Sequence, residues 1–162
     1  MKITKFQLNQ IYQLVDKIKL NKISDTSLRH SLLKLIIEGK KNKEELEKDT
    51  NAIRSKFFDD FNDDDRNAFQ EGLFEISKLL TEGKTSESLT KDKELSEKYP
   101  EITEAYKSYG IALNELQNEC VLVDITPVDI EVFVDSMLGQ DLVISGDQLE
   151  IFNPIFNNGS ES

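Results

Sequence analysis

Apolar residues recur along most of this chain at intervals of three and four, and the phase of that recurrence marks the helices. Leu8, Ile11, Tyr12, Val15 and Ile18 share one helical face. Thr4 and Gln7 stand at capping-box spacing in front of them, with Ile3 and Leu8 placed as the hydrophobic staple. The pattern breaks at "NKISDTS", where Ser24 or Asp25 is placed to cap a second helix. From there Leu28, Leu32, Leu35, Gly39, Leu46, Thr50, Ile53 and Phe57 keep one phase, which predicts a single helix of about thirty residues. Its middle, "GKKNKEELEKD", is polar on every side. That predicts a solvent-exposed or coiled-coil arm, with Gly39 as its kink and Glu44–Lys48 as a favourably ordered pair.

A third helix is expected over about 63–81, with Phe69, Leu73, Ile76 and Leu80 on its stripe. Residues 82–98 lack periodicity and are rich in Ser, Thr and Lys, so they read as a linker. Pro100 suits the first turn of a further helix, whose buried face is Ile102, Ala105, Tyr109, Leu113, Leu116 and Cys120. The period then changes. "CVLVDITPVDIEVFV" alternates, which predicts short strands at 121–125 and 128–133. A helix starting at Pro127 behind a Thr126 cap is the competing reading, so 126–137 stays open between strand and helix. Ser145 and Gln148 form another capping box ahead of a short helix, and 157–162 reads as a disordered tail.

These elements predict a mainly α, α+β fold. The expected architecture is an elongated antiparallel helical bundle or hairpin, closed by a small C-terminal β element and a short terminal helix. A length of 162 residues predicts one domain over 1–156, divided into a helical part (1–81), a linker (82–98) and a closing part (99–156).

Composition narrows the class. Hydrophobic residues make up 38% and charged residues 31%, too apolar a balance for a disordered chain. No apolar run reaches membrane-spanning length, and the N-terminus lacks the apolar core of a signal peptide. With a single cysteine, the expectation is a soluble protein of a reducing cytoplasm. The net charge of −11 argues against direct nucleic-acid binding. Residues 1–43 hold ten Lys/Arg against three Asp/Glu, whereas 120–162 hold eight acids and no Lys or Arg. The chain is basic at the front and acidic at the back.

Candidate chemistry is sparse. Asp60, Asn62, Asp64 and Glu71 fall at positions one, three, five and twelve of an EF-hand calcium loop. The sharp-turn glycine of such a loop is replaced by Asp65, and its apolar eighth position by Asn67. Asn62 as a helix N-cap, with Asp63, Asp64 and Asp65 in the first turn, accounts for most of the same acids. His30, the sole histidine, lies off the Leu28/Leu32 stripe and is expected to face solvent without ligand partners. Cys120 continues the Leu113/Leu116 stripe and is expected to be buried. Tyr99, Tyr106 and Tyr109, with Phe133, are candidates for a pocket or simply for core. No phosphate loop, serine elbow or zinc spacing occurs, so no catalytic residue and no cofactor is expected.

Three stretches carry a family resemblance. "MKITKFQLNQIYQLVDKIKLNKIS" resembles the start of an uncharacterised family of small proteins of tailed phages and prophages, chiefly of Gram-positive hosts. "ALNELQNECVLVDITPVDIEVF", Ala112–Phe133, is similar to that family's later segment, where a helix runs into a strand of alternating acids and aliphatics. "GQDLVISGDQLEIF" is similar to its ending, a short capped helix behind a leucine–x–x–serine turn. The middle, roughly 40–98, departs from the family. The resemblance implies a phage context in the bacterial cytoplasm or the virion, and no mechanism.

Together these readings point to a non-catalytic accessory protein that works through protein–protein contacts, with virion head or tail assembly as one setting. The partner would be a virion component, a host protein or a second copy of the chain. The alternative is an acidic inhibitor whose 120–162 carboxylates mimic nucleic-acid phosphates toward a host enzyme or defence protein.

Overall fold

A computed structural model describes residues 1–140 and 144–156. The fold is mainly α with one small antiparallel sheet. Its elements are β1 (Lys2–Thr4), α1 (Lys5–Val15), α2 (Thr26–Phe58), α3 (Asp63–Thr81), α4 (Thr85–Lys98), α5 (Pro100–Asn118), β2 (Cys120–Leu122), α6 (Ile130–Leu138) and α7 (Gly146–Ile151). By their contacts the described residues form two compact units, one of 1–48 with the chain from 115 to 156 and one of 49–114. The tail reading for 157–162 lies outside the described residues.

The first unit is built around β1 and β2, paired antiparallel with Ile3 opposite Val121 and Thr4 opposite Cys120. Ile3 points into the core, and Thr4 ends the strand while capping α1. Its hydroxyl accepts from the Gln7 amide at 3.1 Å, and the Gln7 carboxamide accepts from the Thr4 amide at 3.1 Å. Leu8, Ile11, Val15 and Ile18 are buried as their spacing requires. Asp25 is the α2 cap, its carboxylate accepting from the Leu28 amide at 2.7 Å. Leu28, Leu32 and Leu35 then complete the core with Val123, Ile125, Val128, Phe133, Phe152 and Ile155.

α2 runs unbroken from Thr26 to Phe58, so the expected length is right, and Gly39 has a different task from a kink. A Cβ built at Gly39 would lie 2.5 Å from Tyr12 Cβ, so this glycine is what lets α1 and α2 approach. Asn42, inside the stretch expected to face solvent all round, is buried, and its Nδ2 donates to the Lys5 carbonyl at 2.9 Å. The i,i+4 ion pairs seen here are Lys41–Glu45 and Lys43–Glu47.

The alternating segment, left open between strand and helix over 126–137, forms a helix from Ile130 in place of a strand at 128–133. Only 120–122 pairs as a strand, and an extended run then inserts Val123, Ile125 and Val128 into the core. Asp129, rather than Thr126, caps α6, accepting from the Glu131 amide at 2.8 Å and the Val132 amide at 3.1 Å. Phe133 and Met137, one turn apart, are then buried together. Tertiary burial overrides the strand preference of "VFV". The small β element is therefore shared between the N-terminus and 120–122.

In the second unit the expected linker is largely a helix. The α3 C-terminus is closed by Gly83 at φ 76°, with the Lys84 amide donating to the Leu79 carbonyl at 2.9 Å, a Schellman arrangement. The chain then enters α4, whose apolar residues are exposed Leu89 and buried Leu95, with the polar Ser88 buried one heptad before Leu95. A helix anchored at two positions seven residues apart has too few apolar residues to show a period. Leu95 packs with Phe69 and Ile102, and Gly72 leaves room for it, since a Cβ there would meet Leu95 Cδ1 at 2.5 Å. An α3–α4 ion pair joins Glu75 and Lys91.

Candidate interaction surface

Asp129 fixes the start of α6, and Phe133 and Met137 fix which side faces inward. What remains outward follows from helical spacing. Ile130, Val134 and Leu138, at successive i,i+4 positions, form an exposed stripe, with Leu138 80% accessible. Glu131 and Asp135, also four apart, make the adjacent row and are exposed. The C-terminal end is held by Gln140, which accepts from the Lys19 amide at 2.9 Å and donates to the Lys19 carbonyl at 3.3 Å.

Beside the stripe lies a hollow of about 340 Å³ whose apolar lining includes Val134, Met137, Leu138, Ile144 and Leu149. Neither α6 nor α7 contains a Lys or Arg, while Asp147 and Glu150 add exposed carboxylates on α7. An apolar strip beside single-sign charge suits a segment with basic and apolar faces. Sequence reasoning did not define this face because it left 126–137 open between strand and helix. The signal was present in Asp129 as a cap followed by Phe133 and Met137 at helical spacing.

The basic front and acidic back of the chain meet inside the first unit. Lys34 Nζ sits 3.0 Å from the Asp124 carboxylate and also donates to the Asp124 carbonyl at 2.8 Å. The side-chain hydrogen bond, and secondarily the lysine charge, hold the Asp124 carboxyl below its ordinary range. In the second unit, the hydrogen bond and charge of Glu82 raise Lys84.

The other sequence candidates fall in several places. Asn62 caps α3, its side-chain oxygen accepting from the Asp65 amide at 2.8 Å, and Asp63, Asp64 and Asp65 occupy the first turn. Of the calcium-loop set, Asp60 lies before the cap, while Asp64 and Glu71 lie within α3, so the backbone from Asp63 onward is helix rather than loop. Among the described residues, no group of three or more His, Cys, Asp or Glu is arranged to hold a metal ion. His30 is exposed beside Ser27, Ser31, Lys34 and Thr126.

Cys120 is exposed, contrary to expectation. α5 ends at Asn118, so the helical stripe stops before reaching the cysteine. On β2, alternation then turns Cys120 outward while Val121 is half-buried. The tyrosines and Phe133 also separate. Tyr106 and Tyr109 pack with Phe58, while Tyr99 and Tyr106 contact Phe69. Phe133 instead meets Phe152 and Phe156 in the first unit.

No family model matches this chain, and no curated protein and no solved structure matches it either. Among the described residues, no helix is long and apolar enough to cross a membrane.

Proposed function

We propose that the chain is a non-catalytic accessory protein of a phage or prophage that binds a protein partner through the outward face of α6. The observation that carries this reading is the Ile130–Val134–Leu138 stripe beside the Glu131–Asp135 row. The occupant it fits is a basic amphipathic helix of a virion or host protein, whose apolar side covers the stripe and whose Lys or Arg residues meet the carboxylates. The stripe favours this over phosphate mimicry, which needs rows of carboxylates and gains nothing from exposed Leu138. The phage setting is supported by the resemblance of the terminal segments.

The test compares the tagged chain with a Val134→Asp/Leu138→Asp variant, both purified from phage-infected cells and examined by mass spectrometry. Both positions are solvent-exposed, so the variant is expected to fold. A virion or host protein retained by the wild type and lost from the variant supports the reading. Identical eluates from the two overturn it.

A further inference from the structure

The second unit contains a cavity of about 350 Å³, at the lower end of the size range of small-molecule sites. Its lining mixes aromatic and polar side chains. Phe58, Phe69, Tyr106 and Tyr109 supply the rings, and Arg54, Arg66, Asn67, Gln70 and the carboxylate of Asp63 the polar groups. The chain has only three arginines, and two of them line this one cavity. That choice of residue matters, because a planar guanidinium binds carboxylate or phosphate through two parallel hydrogen bonds and also stacks on rings.

The two arginines are not equivalent. Arg66 is tied down, its guanidinium donating to the Phe58 carbonyl at 3.3 Å and pairing with Asp63. The Arg54 side chain makes no hydrogen bond or ion pair among the described residues. Asn67 and Gln70, one turn apart on α3, likewise have uncommitted carboxamides, as do the Tyr106 and Tyr109 hydroxyls. The four rings meet in tilted, edge-to-face contacts, with centroids 5.4 Å apart for Phe58–Tyr109 and 5.9 Å for Phe58–Tyr106. Tyr106 nonetheless remains 44% accessible, which leaves ring surface for a ligand. In a chain of net charge −11, an unpaired guanidinium over such a lining marks a local site for an anion.

We infer that this cavity binds a small planar molecule bearing one anionic group, with its ring against Tyr106, its phosphate or carboxylate on Arg54, and its polar edge read by Asn67 and Gln70. Two sources share that chemistry, nucleoside monophosphates and aromatic carboxylates. The site lies apart from the α6 face and does not depend on the partner-binding proposal.

The experiment is isothermal titration of the full chain with AMP, adenosine, 4-hydroxybenzoate and inorganic phosphate, repeated on Arg54→Gln. Arg54 is exposed and unpaired, so this variant is expected to keep the wild-type melting temperature. The result expected is saturable binding of AMP or 4-hydroxybenzoate, weakened about tenfold or more in Arg54→Gln, with adenosine and phosphate each much weaker. Binding of AMP alone assigns the nucleotide source, and binding of 4-hydroxybenzoate alone assigns the carboxylate source. Amide chemical-shift changes around Asn67, Gln70 and Tyr106 in NMR place the ligand independently. No saturable binding of either, or binding that Arg54→Gln leaves unchanged, overturns the inference.

Discussion

Replacing Gly39 by alanine separates helix propensity from helix packing. In an exposed helix interior this change is favourable by about 1 kcal/mol, because glycine loses more backbone freedom on folding. At Gly39 the added Cβ would lie 2.5 Å from Tyr12 Cβ and 2.9 Å from Tyr12 Cγ. The nearest atom is attached directly to the α1 backbone, so no rotation about χ1 can relieve the contact. α1 and α2 must move apart, and overpacking of this kind costs about 1–3 kcal/mol. Since the clash is with a Cβ, the upper half of that range applies. The net expectation is a loss of about 1–2 kcal/mol and a melting temperature lower by roughly 3–6 °C. Gly110, inside α5, is the internal control, because a Cβ there meets nothing within 4 Å. Gly110→Ala is expected to gain up to about 1 kcal/mol. Thermal unfolding followed by circular dichroism reads both signs. If Gly39→Ala raises the melting temperature as Gly110→Ala does, the close approach of Tyr12 is wrong.

Leu95→Ala removes the main apolar anchor of α4 and is expected to cost about 2–3 kcal/mol, with faster amide exchange across 85–98; unchanged exchange would return that segment to a linker. Cys120, exposed on β2, is expected to react fully with a thiol reagent in the native protein, and protection until denaturant is added would restore the buried reading. The Asp124 carboxyl, lowered by Lys34, contributes a small stabilisation that is present above the ordinary carboxylate range and lost as pH falls through the depressed value. In Lys34→Met its titration by NMR is expected to move upward, and an unmoved curve would rule out the ion pair.

The helices with dense apolar stripes were legible in the sequence because their signals are local. Thr4–Gln7, Asn62 and Ser145–Gln148 each cap a helix within four residues of the cue, and the structure places all three as read. What failed was decided at a distance. Strand β1 is three residues long, and its partner is β2, so neither segment alone identifies the pair. α4 hides because its stability comes from Leu95 against Phe69 and Ile102, contacts absent from its own composition. α6 stayed open between strand and helix because its Val and Phe favour strands, and helical burial of Phe133 and Met137 decides it. The α6 face went unseen with it, since a stripe has no meaning until its element is a helix. The cavity beside Arg54 was half legible, in Tyr106 and Tyr109 but not in their partners Phe58 and Phe69.

Whether the outward face of α6 meets a partner is decided by crosslinking from that face. A photoreactive p-benzoylphenylalanine placed at position 138, and as a control at exposed position 47 on α2, is expressed in phage-infected cells and irradiated. A single discrete crosslinked protein is expected at position 138, attached through a basic amphipathic helix, and none at position 47. No product at position 138, or the same products at both positions, contradicts it.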